Sequence, residues 1–273
     1  MNILVLGSTG MLGRYMVNYL SEHHDVVGMS RPQFDATRDI SFRLRRAIRK
    51  SDIVINCVGV LKPYINEIGI AKVIKINSVF PQLVADCCEK YNTRMIHISS
   101  DCIFSGKIGS YNEDSICDAD DIYARTKCIE PPTALTIRTS FVGEDSNADG
   151  VGLLQWVLNQ PETLTGYTNC MWNGVTCLQL CKVVNNIIYE PLTNNKQHVF
   201  SPTSISKYEL LHEICKVYDI NTEIIPVEVS EISGTKIEGK LDRTLSTIYN
   251  KITTPDINQQ LTEQKIFYHE RSM

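Results

Sequence analysis

The chain has 273 residues, is 43% hydrophobic, and carries a formal net charge of -4 with a sequence pI of about 5.9. That length suits one dinucleotide-sized domain plus a modest extension, and the mild acidity excludes a general electrostatic case for nucleic acid or an anionic membrane surface. No apolar run is long enough for a membrane span, no signal peptide is expected, and the scattered ten cysteines suggest reduced thiols in a cytoplasmic compartment. Neither the cysteines nor His23-His24 have zinc-ligand spacing, so no metal is expected.

The first element is a fully buried parallel strand, Ile3-Leu4-Val5-Leu6, running into the glycine loop Gly7-Ser-Thr-Gly10-Met-Leu-Gly13 and a helix through Leu12, Met16, Tyr19 and Leu20. Gly7 permits the tight turn, Gly10 lets backbone approach a pyrophosphate, and Gly13 lets the helix pack on the strand. Anionic phosphate then meets the helix N-terminus. A second strand, Val26 to Ser30, ends at Arg31-Pro32, where NAD-binding proteins tend to place an acidic residue. Arg31 can pair with a ribose phosphate, so NADPH is favoured over NADH; a solvated surface arginine is the bland alternative, and Asp35 can still reach the adenosine.

Arg43 to Arg49 reads as an amphipathic helix with Leu44, Ala47 and Ile48 inward, and Ile53 to Cys57 as a third buried strand. Val58-Gly59-Val60 follows, where a cofactor passes over the sheet edge. Ile70 to Tyr91 reads as a helix that Pro81 kinks or restarts, with Asn77 before the break. Next come the strand Arg94 to Ser99, the helix of Tyr123-Ala-Arg-Thr-Lys127, and the strand Leu135 to Arg138. Such alternation predicts right-handed crossovers in a parallel sheet with ligands at the carboxyl strand ends. There Ser100 and Tyr123 converge, and a serine, a tyrosine and a lysine can reduce a ketone. The carbonyl oxygen gains negative charge as hydride arrives, so Tyr123 donates a proton and Ser100 holds the oxygen. Lys127, one helical turn on, is expected to lower the tyrosine pKa. Tyr-x-x-x-Lys alone is often a helix surface pair; the strand order supplies the context it needs.

After Gly143 the acidic loop Glu144 to Gly150 marks a composition shift into a second lobe. Val151 to Asn159 reads as a helix in which Trp156, like Trp172 later, is either core or ligand contact. Leu178 to Tyr189 reads as a returning helix, Ser206-x-x-Glu209 as a capping box, and Glu223 to Val229 as a strand. The polar stretch after Leu261 is expected to fray. The fold expected is α/β: a Rossmann doubly wound parallel sheet over residues 1–143 and 175–200, with a smaller C-terminal α/β lobe over 144–174 and 201–273.

These motifs in order resemble the extended short-chain dehydrogenase/reductases, and within them the dTDP-4-dehydrorhamnose reductase branch. The resemblance rests on Gly7 to Gly13, Ser99-Ser-Asp-Cys-Ile-Phe-Ser-Gly106, Tyr123-x-x-x-Lys127, Arg138-Thr-Ser-Phe-Val-Gly143 and Trp172-Asn-Gly-Val-Thr176. It implies Ser100, Tyr123 and Lys127 as catalytic residues, and Gly7, Thr9, Gly10, Met11, Leu12, Arg31, Cys57, Gly59 and Thr139 around NADP. Cys102 stands where rhamnose-type reductases usually carry an aromatic residue. With Gly152-Leu-Leu-Gln-Trp156 and Gly166-Tyr167-Thr168, it looks more like reductases of UDP-2-acetamido-2,6-dideoxy-hexuloses. A thiolate there can remove an acidified proton beside the keto group, coupling epimerisation to reduction; Asp101, Tyr64 and Lys62 are candidates for the opposing acid. A small residue shaped to an acetamido sugar is the competing role for Cys102.

The resemblance thus implies a UDP-linked, alternatively dTDP-linked, 4-keto-6-deoxy sugar as substrate. Lys62, Cys102, Trp156, Tyr167 and Trp172 would contact it, and Arg243 in Lys240-Leu-Asp-Arg243 would hold its diphosphate. A dTDP- or UDP-4-dehydrorhamnose reductase is the nearest alternative. A non-catalytic dinucleotide-binding regulatory subunit is the alternative of another class. Relatives continue the Tyr123 helix to pack a homodimer, whereas Cys128-Ile-Glu-Pro-Pro-Thr133 cuts it short here, which weakens the dimer expectation.

Overall fold

Ile3, Leu4, Val5 and Leu6 bury completely in β1 (Asn2–Leu6) because the strand is covered on both faces, as its unbroken apolar run requires. The computed structural model describes residues 1–145, 150–159, 162–191, 194–232, 235–236, 239–249 and 252–271. The chain divides into two units: residues 1–103, 117–138 and 181–197 form the first, and 104–116, 139–180 and 198–273 the second.

The first unit is built on a sheet of six strands, in the order Lys196–His198, β5 (Leu135–Arg138), β4 (Arg94–Ile98), β3 (Ile53–Asn56), β1 and β2 (Asp25–Met29). β1 pairs in parallel with β2 and β3, β3 with β4, and β4 with β5. The register sets Leu6 beside Met29 and Asn56, and Asn56 beside His97, so the strand ends that matter for a ligand lie side by side. This is the expected α/β parallel architecture. The sixth strand, Lys-Gln-His, was not expected, because a short polar segment carries no strand pattern of its own.

α1 (Met11–Leu20) and α2 (Phe42–Arg49) follow the expected faces: Leu12, Met16 and Leu20 are buried on one, Leu44 and Ile48 on the other. Ser41 caps α2 by accepting from Leu44 N–H. The segment expected as one helix from Ile70 is a helix to Ile74, a π-helical turn over Lys75–Val79, and a helix Phe80–Lys90 with Pro81 in its first turn. There the missing N–H of proline is harmless, and the wide turn takes up the irregularity. Phe34 stacks on Phe80 at 5.4 Å between ring centroids, closing the apolar cluster around Leu4, Val54, Val84 and Met95.

In the second unit, strand Glu223–Val227 pairs in parallel with Thr163–Tyr167, and Cys170–Trp172 is flanked by Ile205–Ser206 and Leu241–Asp242. The helix expected after the acidic loop is Leu153–Asn159; residues 146–149 of that loop lie outside the described residues. Ser206 and Glu209 form the expected capping box at the start of helix Lys207–Tyr218. One expectation is corrected. The polar stretch after Leu261 does not fray but completes the helix Ile257–Glu270, capped by Asp256. Two of its glutamines are interior: Gln260 accepts from Thr176 N–H at 3.0 Å and Gln264 from Leu178 N–H at 3.3 Å. Buried amides paired to backbone hold a helix that looks solvent-facing by composition. Among the described residues, no helix is long and apolar enough to cross a membrane.

Candidate active site

The glycine loop is made of backbone. Gly7, at φ +82°, turns the chain and donates its N–H to Met29 O at 2.8 Å. A Cβ on Gly13 would stand 2.1 Å from Gly7 O, so only hydrogen fits where α1 crosses the turn. Gly10 is the N-cap of α1 and provides no side-chain cap, which leaves the first-turn N–H groups to a ligand or to water. Thr9 and Gly10 are exposed, Met11 is half-buried and Leu12 belongs to the core. After β2, Arg31 is exposed; Asp35 is engaged by Thr37, through its N–H at 2.9 Å and hydroxyl at 2.7 Å, and by Arg38. After β3, Cys57 and Val58 are half-buried and Gly59 is open, with Asn77 Oδ1 and Lys127 Nζ its near neighbours.

The second cluster is made of side chains. Strand β4 ends at Ile98; the next residue, Ser99, donates its N–H to Ile137 O, and the chain turns through a short 3-10 segment, Asp101–Ile103. Ser100 Oγ accepts from Cys102 N–H at 3.0 Å and donates to Asp101 Oδ1 at 3.2 Å. Tyr123 lies in the six-residue helix Ile122–Lys127, which Asp121 caps by accepting from Ala124 N–H. Ser100 stands near enough to the Tyr123 phenol to lower its pKa. Both residues are buried, and Cys102, half-buried, packs on the cluster of Tyr123, Val60, Ile65 and Val73. The structure therefore brings Ser100, Cys102, Tyr123 and Lys127 together with Gly59.

The electrostatics differ from the sequence expectation. The Tyr123 phenol is raised well above its ordinary value, first by burial and then by the neighbouring Cys102, against a lowering by Ser100. Lys127 is not among the groups that move it most. Its ammonium donates to Ile98 O at 2.9 Å, and burial lowers its own pKa to about 8. Burial also keeps His97, 3.1 Å from Asn56 Nδ2, far below the usual imidazole value. Lys62 has a partner, Asp121 Oδ2 at 2.6 Å, and its ammonium lies 5.8 Å from the Tyr123 ring centre.

Asn77, which the sequence places only before the helix break, belongs to the site. It is buried in the π-helical turn, accepts from Val60 N–H at 2.8 Å, and donates to Val60 O and Thr126 Oγ1. A single amide thus ties the strand end after β3 to the helix that holds Tyr123. An asparagine inside an apolar helix just before a proline was the available signal.

In the second unit, Thr139 is buried with its hydroxyl on Ser140 O. Trp172 is core: its indole N–H donates to Ser140 Oγ at 2.8 Å, and Lys207 covers its ring. Trp156 is half-buried against the same apolar cluster, and Tyr167 is half-buried at the end of its strand. Arg243 is half-buried and donates Nε–H to Phe104 O at 2.9 Å.

Residues 1–245 match the family model described as the RmlD substrate binding domain. Among curated proteins, the dTDP-4-dehydrorhamnose reductase of Mycobacterium tuberculosis is 28% identical over 153 residues, 51% of this chain and 50% of that protein. The chain spans about half the length of the first curated relatives it matches. A probable low-salt glycan biosynthesis reductase of Haloferax volcanii is 30% identical over 254 residues, 84% of each protein. Among solved structures, the dTDP-4-dehydrorhamnose reductase of Bacillus anthracis in complex with NADP superposes with a TM-score of 0.80 at 18% identity, covering 97% of this chain and 98% of that one.

Proposed function

The chain belongs to the RmlD substrate binding domain family, and on that premise we propose that it is an NADPH-dependent reductase of the 4-keto group of a nucleotide-linked 6-deoxy sugar, of the dTDP-4-dehydrorhamnose type. The observation that carries this is the buried grouping of Ser100 and Tyr123 around Cys102, with the Lys127 ammonium beside Gly59, at the end of a sheet that also presents an uncapped glycine loop. The names of the relatives favour the dTDP-linked alternative over the UDP-linked acetamido sugar that Cys102 suggested.

The glycine loop fits a dinucleotide diphosphate: free first-turn N–H groups, an exposed Gly10 and a helix that approaches without a Cβ. Arg31 is positioned by sequence after β2 for a ribose phosphate, and the NADP complex of the Bacillus anthracis protein supports that choice. Gly7, Thr9, Gly10, Met11, Cys57, Val58, Gly59 and Thr139 remain the proposed cofactor contacts. When bound, NADPH supplies the hydride. Tyr123 keeps its proton across neutral pH because burial raises it, so it is a donor and not a phenolate when the carbonyl oxygen becomes negative. Ser100 holds that oxygen by turning its proton to it from Asp101, while the Cys102 N–H fixes the serine oxygen. Lys127, anchored on Ile98 O, places its positive charge beside Gly59. Tyr167 and Arg243 are the proposed contacts for the nucleotide sugar.

A second reading, epimerisation before reduction, draws on Cys102 packing against Tyr123. One assay separates the two. Following NADPH oxidation with dTDP-linked and UDP-linked 4-keto-6-deoxy sugars in deuterated water should show turnover with the dTDP sugar and no label beside the former ketone. Turnover only with the UDP acetamido sugar, with label that disappears in Cys102→Ala, would replace the first reading by the second.

A further inference from the structure

One edge of the six-stranded sheet is β2, the last strand in the order. Asp25 N–H donates to Met1 O and Met29 O accepts from Gly7 N–H, so Asp25, Val27 and Met29 turn their main-chain groups to β1. Val26 and Gly28 alternate with them and turn theirs outward, which leaves a strand edge open to pairing. Val27, on the same strand, is 58% exposed.

Beside this edge lies a groove of about 560 Å³ whose lining runs from Asp25 to Met29 on the strand. Its other wall is Arg43 and Arg46 of α2 with Lys50, the C-cap of that helix. Residues 43–50 hold five cations, Arg43, Arg45, Arg46, Arg49 and Lys50, and no carboxylate, in a chain whose net charge is -4. All five are exposed, whereas Leu44 and Ile48 anchor α2 in the core and so fix the cationic stripe relative to the strand. Asp25 is the one carboxylate among the described residues that line the groove.

We infer that β2 and α2 together dock an extended acidic segment of a partner protein, which adds to the sheet as a strand beside β2 and sets its carboxylates against Arg43, Arg46 and Lys50. The dimensions agree. Arg43 to Lys50 spans about 10 Å of helix at about 1.5 Å per residue. Carboxylates at positions i, i+2 and i+4 of a strand share one face and span about 13 Å at about 3.3 Å per residue. Main-chain pairing with Val26 and Gly28 supplies affinity, and the cations select the sign of the side chains. A second copy of this chain fits poorly, because pairing β2 with β2 about a two-fold axis brings one cationic α2 toward another. The surface is separate from the keto-reduction chemistry and does not rest on that reading.

The test uses the full chain and two labelled peptides, one alternating glutamate with threonine and one alternating lysine with threonine. Fluorescence anisotropy should show saturable binding of the glutamate peptide alone, weakening as salt rises. Arg43→Glu/Arg46→Glu/Lys50→Glu should lower that affinity at least about tenfold, since exposed pairs are individually modest and three are lost. Arg45→Glu/Arg49→Glu, on the same helix but outside the groove, should lower it less than about threefold. Amide hydrogen exchange should slow at Val26 and Gly28 when the peptide binds.

Equal binding of the two peptides, or undiminished binding by the triple variant, would overturn the site. An equal loss in both variants would replace the groove by diffuse charge, and binding that leaves exchange at Val26 and Gly28 unchanged would overturn strand addition. Concentration-dependent slowing at those two amides without peptide would give the edge to a second copy. Protection there by phosphatidylserine vesicles but not by the peptide would give it to a membrane. Neither readout uses turnover, so a chain inactive toward every keto sugar would sink the reductase reading and leave the docking surface standing.

Discussion

The glycine loop after β1 and the turn after β4 both end buried parallel strands, yet they are built from opposite materials. In the first, backbone does everything: Gly7 takes a positive φ, Gly10 leaves the helix end open, and Gly13 admits no Cβ. In the second, side chains do everything: Ser100, Asn77 and Lys127 are buried polar groups, each held by a named partner, and Tyr123 is buried among them. The difference teaches where each is fragile. A backbone site fails by steric intrusion, which damages fold and binding together, whereas a side-chain site fails by loss of one atom, which can spare the fold.

Removing the Tyr123 hydroxyl is the sharpest way to isolate the side-chain site. Tyr123→Phe is expected to lower turnover by roughly 10²–10⁴-fold, the range for losing a positioned proton donor. Ser100 Oγ keeps Asp101 and the Cys102 N–H, so urea unfolding should change by no more than about 1 kcal/mol. NADPH binding, read by fluorescence titration, should be unaltered. A variant that loses binding and stability along with turnover would erase the distinction.

Gly13→Ala should do the reverse. Its Cβ would meet Gly7 O at 2.1 Å, Gly7 C at 2.7 Å and Ser8 Cα at 3.0 Å, all backbone that cannot swing aside. Stability is expected to fall by about 1–3 kcal/mol and NADPH binding to fall with it. A melting curve and titration matching the parent protein would show that the turn yields more readily than its contacts imply.

The smallest effect is a pH limb. Burial lowers Lys127 to about 8, so its ammonium is present below that pH and lost above it. The kcat/KM of reduction should therefore decline above pH 8, approaching tenfold per unit, and Lys127→Met should flatten the limb. Stability moves the other way. The unfolded lysine, with its ordinary pKa of about 10.4, binds more protons than the folded one between the two values. Stability should then rise with pH across that window as the buried charge is relieved. A limb unchanged in Lys127→Met would assign it to another group.

The strands from Ile3, Val26, Ile53, Arg94 and Leu135 and the parallel sheet they form were legible because continuous apolar runs and intervening helices report burial locally. The glycine loop and the Ser206–Glu209 capping box were legible for the same reason: each is closed by residues three to six apart. What escaped was polar and distant. Asn77 joins Val60 to Thr126, Gln260 reaches Thr176, Lys127 reaches Ile98 O, and the strand Lys196–His198 exists because β5 lies beside it.

Sequence by itself determined the first five strands of the sheet and the spacing of Ser100, Tyr123 and Lys127, since a period and a turn need only neighbouring residues. Only the tertiary structure decided that Tyr123 is raised by burial, that Lys127 is anchored on a carbonyl and that Trp172 is core. The physical reason is that an apolar residue has one destination, the interior. A buried polar residue is tolerated only where the fold delivers a partner.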